Sequence, residues 1–321
     1  MTFKRTIISN RNGTRYIKKI TTPVGSLSNK AKTLAVDSVR GDRKNRCTVN
    51  DLLTFFDLKH ATYYDEKKRL LKTSKYQQIQ NMIQNIFLAS HKTYGYRRIH
   101  RQLLNQGVKI SANTVLKLMH TLGIKNHIYR RHTSSYSSYK GNIGTKAPNF
   151  LKQTFNATQP YTVIHTDVTQ VRLTNQHWAY ISAMTDEATK EVLALQVSAH
   201  PDKQLIMKTI DQLCANLPSG TKSIIHSDQG WHYQQKDYQA KLKALDFIPS
   251  MSRKGNCLDN APIESFFNLL KRESLNQQHI KNIAELSVIV DKYVHWFNHE
   301  RISLKTKGLP PIAYREQVLG N

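Results

Sequence analysis

Cysteine is scarce in this chain. Cys47, Cys214 and Cys257 lie far apart and form no CxxC pair, so no disulfide framework is predicted. A reducing cytoplasm fits that usage. Long apolar runs are missing as well. No segment approaches the roughly 18 consecutive apolar residues of a membrane span. No strong basic amphipathic anchor stands out either, so no membrane partner is expected. The opening MTFKRTIISNRNGTRYIKK lacks the apolar core of a secretory signal, which also points to the cytosol. Tandem repeats are absent, which excludes a solenoid.

Acidic residues are the next shortage. There are 22 Asp plus Glu against 48 Lys plus Arg, a formal charge of +26. An enzyme acting on small metabolites rarely needs that imbalance. A polyanionic partner explains it, because each phosphate neutralised by Lys or Arg releases counterions. What the chain does have is size and apolar content: 321 residues, 39% of them apolar. That accommodates a catalytic domain of about 150 residues plus one or two smaller modules.

Residues 1–46 are basic, polar and weakly periodic. They read as a poorly ordered arm, either lying on DNA or free. Residues 47–73 form a small helical segment, a helix-turn-helix or a hairpin without a DNA role. In 74–131, Ile79, Met82, Ile83, Ile86 and Phe87 recur as an amphipathic stripe. A second helix ends at Gly107. Ser111 caps a third, with Val115, Leu118, Met119 and Leu122 inward and Gly123 at its end. Asn113, Thr114 and Lys117 stand on its outer face, as in a recognition helix. The Arg97–Arg98 and Arg130–Arg131 pairs flank it. A trihelical packing unit has the same inner stripe. Residues 132–158, rich in Ser, Gly and Lys, have linker composition.

From 159 to 316 the pattern alternates. Three apolar, β-branched stretches come first, then helix, strand, helix, strand and two closing helices. That order predicts an α/β domain with a mixed five-stranded sheet flanked by helices. Three acids fall where strands end or a helix begins: Asp167, Asp228 and Glu264. Singly, each reads as a capping or solvated acid. Their spacing changes that: 60 residues separate the first two and 35 the last two. Around Glu264, Ile263, Phe266, Phe267 and Leu270 form the apolar stripe. Glu264, Asn268 and Lys271 share the opposite face, since seven residues are nearly two turns. Three such carboxylates suit hard, oxygen-seeking Mg²⁺, and two ions suit in-line phosphoryl transfer. Packed together, they repel one another unless cations are bound.

The motifs YGYRRI (94–99), HTDVT (165–169), HSDQGWHY (226–233), SRKGNCLDNAPIESFFNLLKRE (252–273) and FNHERISLKTKGLPPIAY (297–314) make the resemblance explicit. The chain resembles the OrfB-type DDE transposases of insertion-sequence family three, within the retroviral-integrase superfamily. The resemblance implies an RNase H-like core in which Asp167, Asp228 and Glu264 are catalytic and hold Mg²⁺. It implies Mn²⁺ as a substitute, and two ions per site when DNA is bound. It implies that Lys271 contacts DNA near the element end. Arg253, Lys254, Asn256 and Asn260 then position the strand or fix the loop before the catalytic helix. YGYRRI resembles the family's helix-turn-helix, with Arg97 and Arg98 on DNA. The implied partners are double-stranded DNA of element ends and target, a homo-oligomer on DNA and an OrfA-type protein. The implied location is the bacterial cytosol, at the nucleoid.

Some residues depart from the family pattern. Ser303 stands where the family often has histidine. Residues 1–46 do not resemble the usual OrfA module. His91 and His100 have no nearby cysteine pair, so the integrase-type zinc site is not expected. Asp186, Glu187 and Asp259 compete for the site, and supporting or loop roles are expected for them. Two other functions share the fold: a silent DNA-binding regulator of transposition, which the intact triad argues against, and a nuclease for RNA–DNA hybrids.

Overall fold

The computed structural model describes residues 6–10, 13–17, 24–41, 47–71, 76–126, 146–253 and 257–320. They fall in two compact units, Met1–Ile79 and Gln80–Asn321.

The first unit opens with an antiparallel hairpin, β1 (Thr6–Asn10) and β2 (Gly13–Ile17). Three helices follow: α1 (Asn29–Arg40), α2 (Val49–Phe55) and α3 (His60–Leu71). Ser28 Oγ accepts from Ala31 N–H at the start of α1. Thr48 and Asp51 form a reciprocal capping box on α2. Ala35, Val36, Leu52, Leu53, Phe56, Leu58 and Tyr63 make one buried cluster. The expectation of a poorly ordered arm over 1–46 therefore fails for Asn29–Arg40. That helix carries only a short apolar stripe, Ala35, Val36 and Val39, and the same face begins with Lys32. The lysine is nonetheless buried, because its Nζ donates to the Asp57 carbonyl at 3.1 Å.

The second unit contains nearly all of α4 (Gln77–Ala89), then α5 (Tyr96–Asn105) and α6 (Ala112–Thr121). Of the stripes read from the sequence, Ile83, Ile86 and Phe87 on α4 and Val115, Leu118 and Met119 on α6 are buried, while Ile79, Met82 and Leu122 are half-buried. The mixed sheet has the order β5-β4-β3-β6-β7. β3 (Val163–Arg172), β4 (Trp178–Asp186) and β5 (Val192–Ser198) form an antiparallel meander. β6 (Ile224–Ser227) and β7 (Ile248–Met251) add in parallel after the crossover helices α7 (Lys203–Asn216) and α8 (Lys236–Ala244). Ile164, Met184 and Ile225 of the sheet pack with Ile206, Ile210 and Leu213 of α7 and with Tyr238 and Leu242 of α8. α9 (Ala261–Glu273) and α10 (Ile283–His299) complete the layers. This is the expected mixed five-stranded α/β architecture.

The expected linker, 132–158, falls partly outside the described residues. Its end is not a linker. Phe150 N–H donates to Ser250 Oγ and Met251 N–H to the Pro148 carbonyl, so the chain runs along β7. Among the described residues, no helix is long and apolar enough to cross a membrane.

Candidate active site

The site is fixed by strand register. β3 and β6 run parallel, with Val163 opposite Ile224, Ile164 opposite Ile225 and His165 opposite His226. Asp167 and Asp228 each stand two residues beyond the last pair. Side chains at i and i+2 share a face, and neighbouring strands lie about 4.8 Å apart. The two aspartates therefore emerge side by side, with His165 and His226 behind them. The sequence shows this as one repeated spacing, HTD at 165–167 and HSD at 226–228.

Electrostatics reflects the same convergence. Burial, then the charge of Asp228, then that of Glu264 push the Asp167 carboxyl well above the usual aspartate range. Burial also raises Asp228. The buried Tyr233 hydroxyl is pushed up by burial and then by both aspartates. Glu264 enters from the first turn of α9, where Ile263, Phe266, Phe267 and Leu270 hold the helix down by their buried stripe. Lys271, two turns on, donates its Nζ to Thr169 Oγ1 at 2.5 Å. Burial lowers the Lys271 ammonium against the pull of Asp167.

These residues fit hard divalent cations. All three candidate ligands are carboxylates, and their mutual repulsion is relieved by positive charge. Asp167 Oδ1 is oriented by the Val168 N–H at 2.7 Å, and Asp228 Oδ1 by the Gly230 N–H at 2.8 Å. Gly230 also keeps the cradle open. A Cβ there would stand 2.9 Å from Asp228 Oδ1 and 3.0 Å from His232 Nε2. Among the described residues, no three acids, histidines or cysteines form a ready-made metal cage.

The comparisons with known proteins agree with this geometry. The Integrase core domain model matches residues 157–257 and, in a second part, 264–319; an HTH-like domain model matches 75–132. The InsK protein of insertion sequence element IS150 from Escherichia coli (strain K12) is 38% identical over 84% of this chain and 94% of its own length. The transposase of insertion sequence element IS904 from Lactococcus lactis subsp. lactis (strain IL1403) is 31% identical, covering 68% of this chain and 86% of its own. InsF of IS3A, an E. coli (strain K12) transposase, is 28% identical, covering 80% and 90% respectively. The chain belongs to the family-three insertion-sequence transposases.

In this transposase the loop before α9 is anchored by a buried acid. Asp259 accepts from the Arg253 backbone N–H at 2.8 Å and from its guanidinium at 3.0 and 3.1 Å. Asn149 Nδ2 adds a bond at 3.1 Å. The Arg253 hydrogen bond is the main force holding the Asp259 carboxyl down at about 2. Asn260 is buried and donates to the Thr166 carbonyl at 3.0 Å, with His165 Nδ1 on its oxygen at 3.0 Å. The DNA contact expected of Asn260 does not fit that burial: it clamps α9 to β3 beside Asp167. Lys254 and Asn256 lie outside the described residues.

The competing acids are all engaged within the protein. Asp186 accepts from Tyr161 N–H, Thr189 N–H and Thr189 Oγ1. Glu187 accepts from Ala157 N–H and faces His165 Nε2 at 2.8 Å. On α6, Asn113 and Lys117 are exposed and Thr114 is half-buried, which leaves the outer face open as expected. Arg97 is exposed too, but Arg98 is not. Its guanidinium binds Glu273 and the Thr93 carbonyl, so the expected DNA contact is replaced by an internal one. Sequence reasoning overlooked the roles of His165, His226 and His232. Burial, then His165, lowers His226 to about 4, and burial lowers His232 to about 4, so both are neutral near pH 7 and add no charge beside the acids.

Proposed function

We propose that this transposase cuts at the ends of its insertion sequence and joins the freed ends to target DNA. Water attacks the phosphodiester at the element end and frees a 3′-OH. That hydroxyl then attacks a second phosphodiester, with no covalent protein–DNA intermediate. The observation that supports this reading best is the in-register pair Asp167–Asp228, with the charge of Glu264 felt at Asp167. Bound Mg²⁺ or Mn²⁺, two ions per site with DNA present, would supply Lewis-acid activation of the attacking and leaving oxygens. Asp167, Asp228 and Glu264 would hold those ions, Lys271 would contact a strand phosphate, and Gly230 leaves room for the backbone to approach. Asn113, Lys117 and Arg97 offer an exposed polar and basic face to the duplex, with half-buried Thr114 beside them. Bringing two ends together calls for a homo-oligomer on DNA, with an OrfA-type protein as a further partner.

The test is purified chain with Mg²⁺ or Mn²⁺ and a labelled element-end duplex. Specific nicks and strand-transfer products are expected. Binding without nicking indicates a regulator, and cleavage of an RNA–DNA hybrid indicates a nuclease.

Lys271→Ala is expected to weaken end binding and to reduce the slope of log affinity against log salt by about one. Titrations at several salt concentrations measure it, and an unchanged slope removes the phosphate contact.

Cation binding has a pH signature. Asp167 and Asp228 have folded-state pKa values above their unfolded ones. Without cations, ionising them therefore costs stability as pH rises through those values. Millimolar Mg²⁺ should raise the melting temperature by about 3 °C near neutral pH, by linkage to the folded state. The increment should shrink as pH falls and the carboxyls take up protons. Thermal melts with and without Mg²⁺ at several pH values decide it; an increment independent of pH places the cation elsewhere.

A further inference from the structure

The motifs YGYRRI and FNHERISLKTKGLPPIAY are two sides of one joint. Arg98, on the first turn of α5, lies over the Tyr94 ring at 4.4 Å and donates to Glu273 Oε1 at 3.3 Å. Glu273 is the last residue of α9, the helix that carries Glu264 and Lys271. Its carboxylate also accepts from Arg301 Nε at 2.7 Å, Arg301 Nη2 at 2.8 Å and the Tyr293 hydroxyl at 2.9 Å. The Glu273 side chain is 1% exposed, Arg301 8% and Arg98 16%. Around this centre the Tyr94 hydroxyl accepts from Ile302 N–H at 2.8 Å. Arg101 donates to the Lys307 carbonyl at 2.6 Å and Asn105 to the Gly308 carbonyl at 2.8 Å. Gly308 has φ +82, and a Cβ there would collide with Arg101.

Apolar surfaces slide over one another at small cost. A buried carboxylate shared by two guanidiniums does not, because displacing α5 strands a charge away from water. The helix-turn-helix-like module is thus pinned to the far end of the catalytic helix. We propose that Arg98 and Tyr94 are positioning residues that fix the distance from the module's grip on DNA to the three carboxylates, and so select the phosphodiester that is cut. This rests on the reading above, in which the module binds element-end DNA and the carboxylates cut it.

The full chain is tested with Mg²⁺ on a labelled element-end duplex, and separately by amide hydrogen exchange without DNA. For Arg98→Met, end affinity should stay within about threefold of wild type, since the altered side chain does not face DNA. The single dominant nick should give way to cuts at several neighbouring phosphodiesters. Exchange of the Ile302 amide should quicken by about tenfold or more, while Ile225 in the sheet stays protected. Tyr94→Phe, which removes only the hydroxyl, should move both readouts the same way by less. Should Arg98→Met lose sheet protection, Tyr94→Phe carries the test. One sharp nick at the wild-type position with unchanged Ile302 exchange overturns the proposal. A wild-type chain that never nicks overturns the functional reading instead. The exchange result then decides the joint alone: faster exchange supports it and unchanged exchange sinks it.

Discussion

Asp167→Asn, Asp228→Asn and Glu264→Gln are each expected to lower nicking by about 10³-fold or more while leaving end binding close to wild type. Each change keeps the side-chain shape and removes one anionic oxygen donor. Binding should survive because the exposed basic face of the module and Lys271 are untouched. Stability should move in the opposite direction to activity. In the cation-free chain Asp167 is raised by burial first and then by Asp228 and Glu264. Asp167→Asn relieves that repulsion, so the variant should melt no lower than wild type near neutral pH and gain little from Mg²⁺. Single-turnover nicking, gel-shift titration and thermal melts check the three parts. Any of these variants that cuts within tenfold of wild type loses its place in the triad.

The element order was legible because it rests on local pattern. The buried stripes on α4, α6 and α9 and the β-branched runs of the sheet each report which side faces the core. The three candidate acids stood out in the sequence by their spacing, and the repeated H-x-D at strands β3 and β6 also places a histidine behind each aspartate. That spacing of two puts His165 and Asp167, and His226 and Asp228, on one face. What failed was the pairing of polar groups across long sequence distances. Arg98 and Glu273 are 175 positions apart, and His165 and Asn260 are 95 apart. Periodicity says that a basic or amide side chain is off the apolar stripe. It does not say whether that side chain meets DNA or a buried carboxylate. Residues 146–158 misled for a related reason: loop composition says nothing of backbone hydrogen bonds to a sheet edge, and those bonds hold Phe150 against Ser250.

Glu273→Gln is expected to destabilise the fold more than any single change at the triad, by about 3–5 kcal/mol. Burial alone would raise the Glu273 carboxyl, but the Arg301 hydrogen bonds and charge, followed by Arg98, outweigh it and hold the pKa below the usual glutamate value. An amide fills the same space and leaves two largely buried guanidiniums without a counter-charge. In a unit of this size the loss corresponds to a fall in melting temperature of about 10 °C. The sign with pH follows from the lowered pKa. The contribution is present above the unfolded-state value and is lost as pH falls through the folded one. Wild type and Glu273→Gln should therefore differ most near neutral pH and converge in acid. Replacing the charges together, as Arg98→Met, Glu273→Met and Arg301→Met in one chain, should recover much of the loss, since no charge is then stranded. Melts of wild type, Glu273→Gln and the triple variant across pH test this. A Glu273→Gln chain that melts with wild type at neutral pH would mean that shape alone, not the buried charge, holds α5 to the end of the catalytic helix.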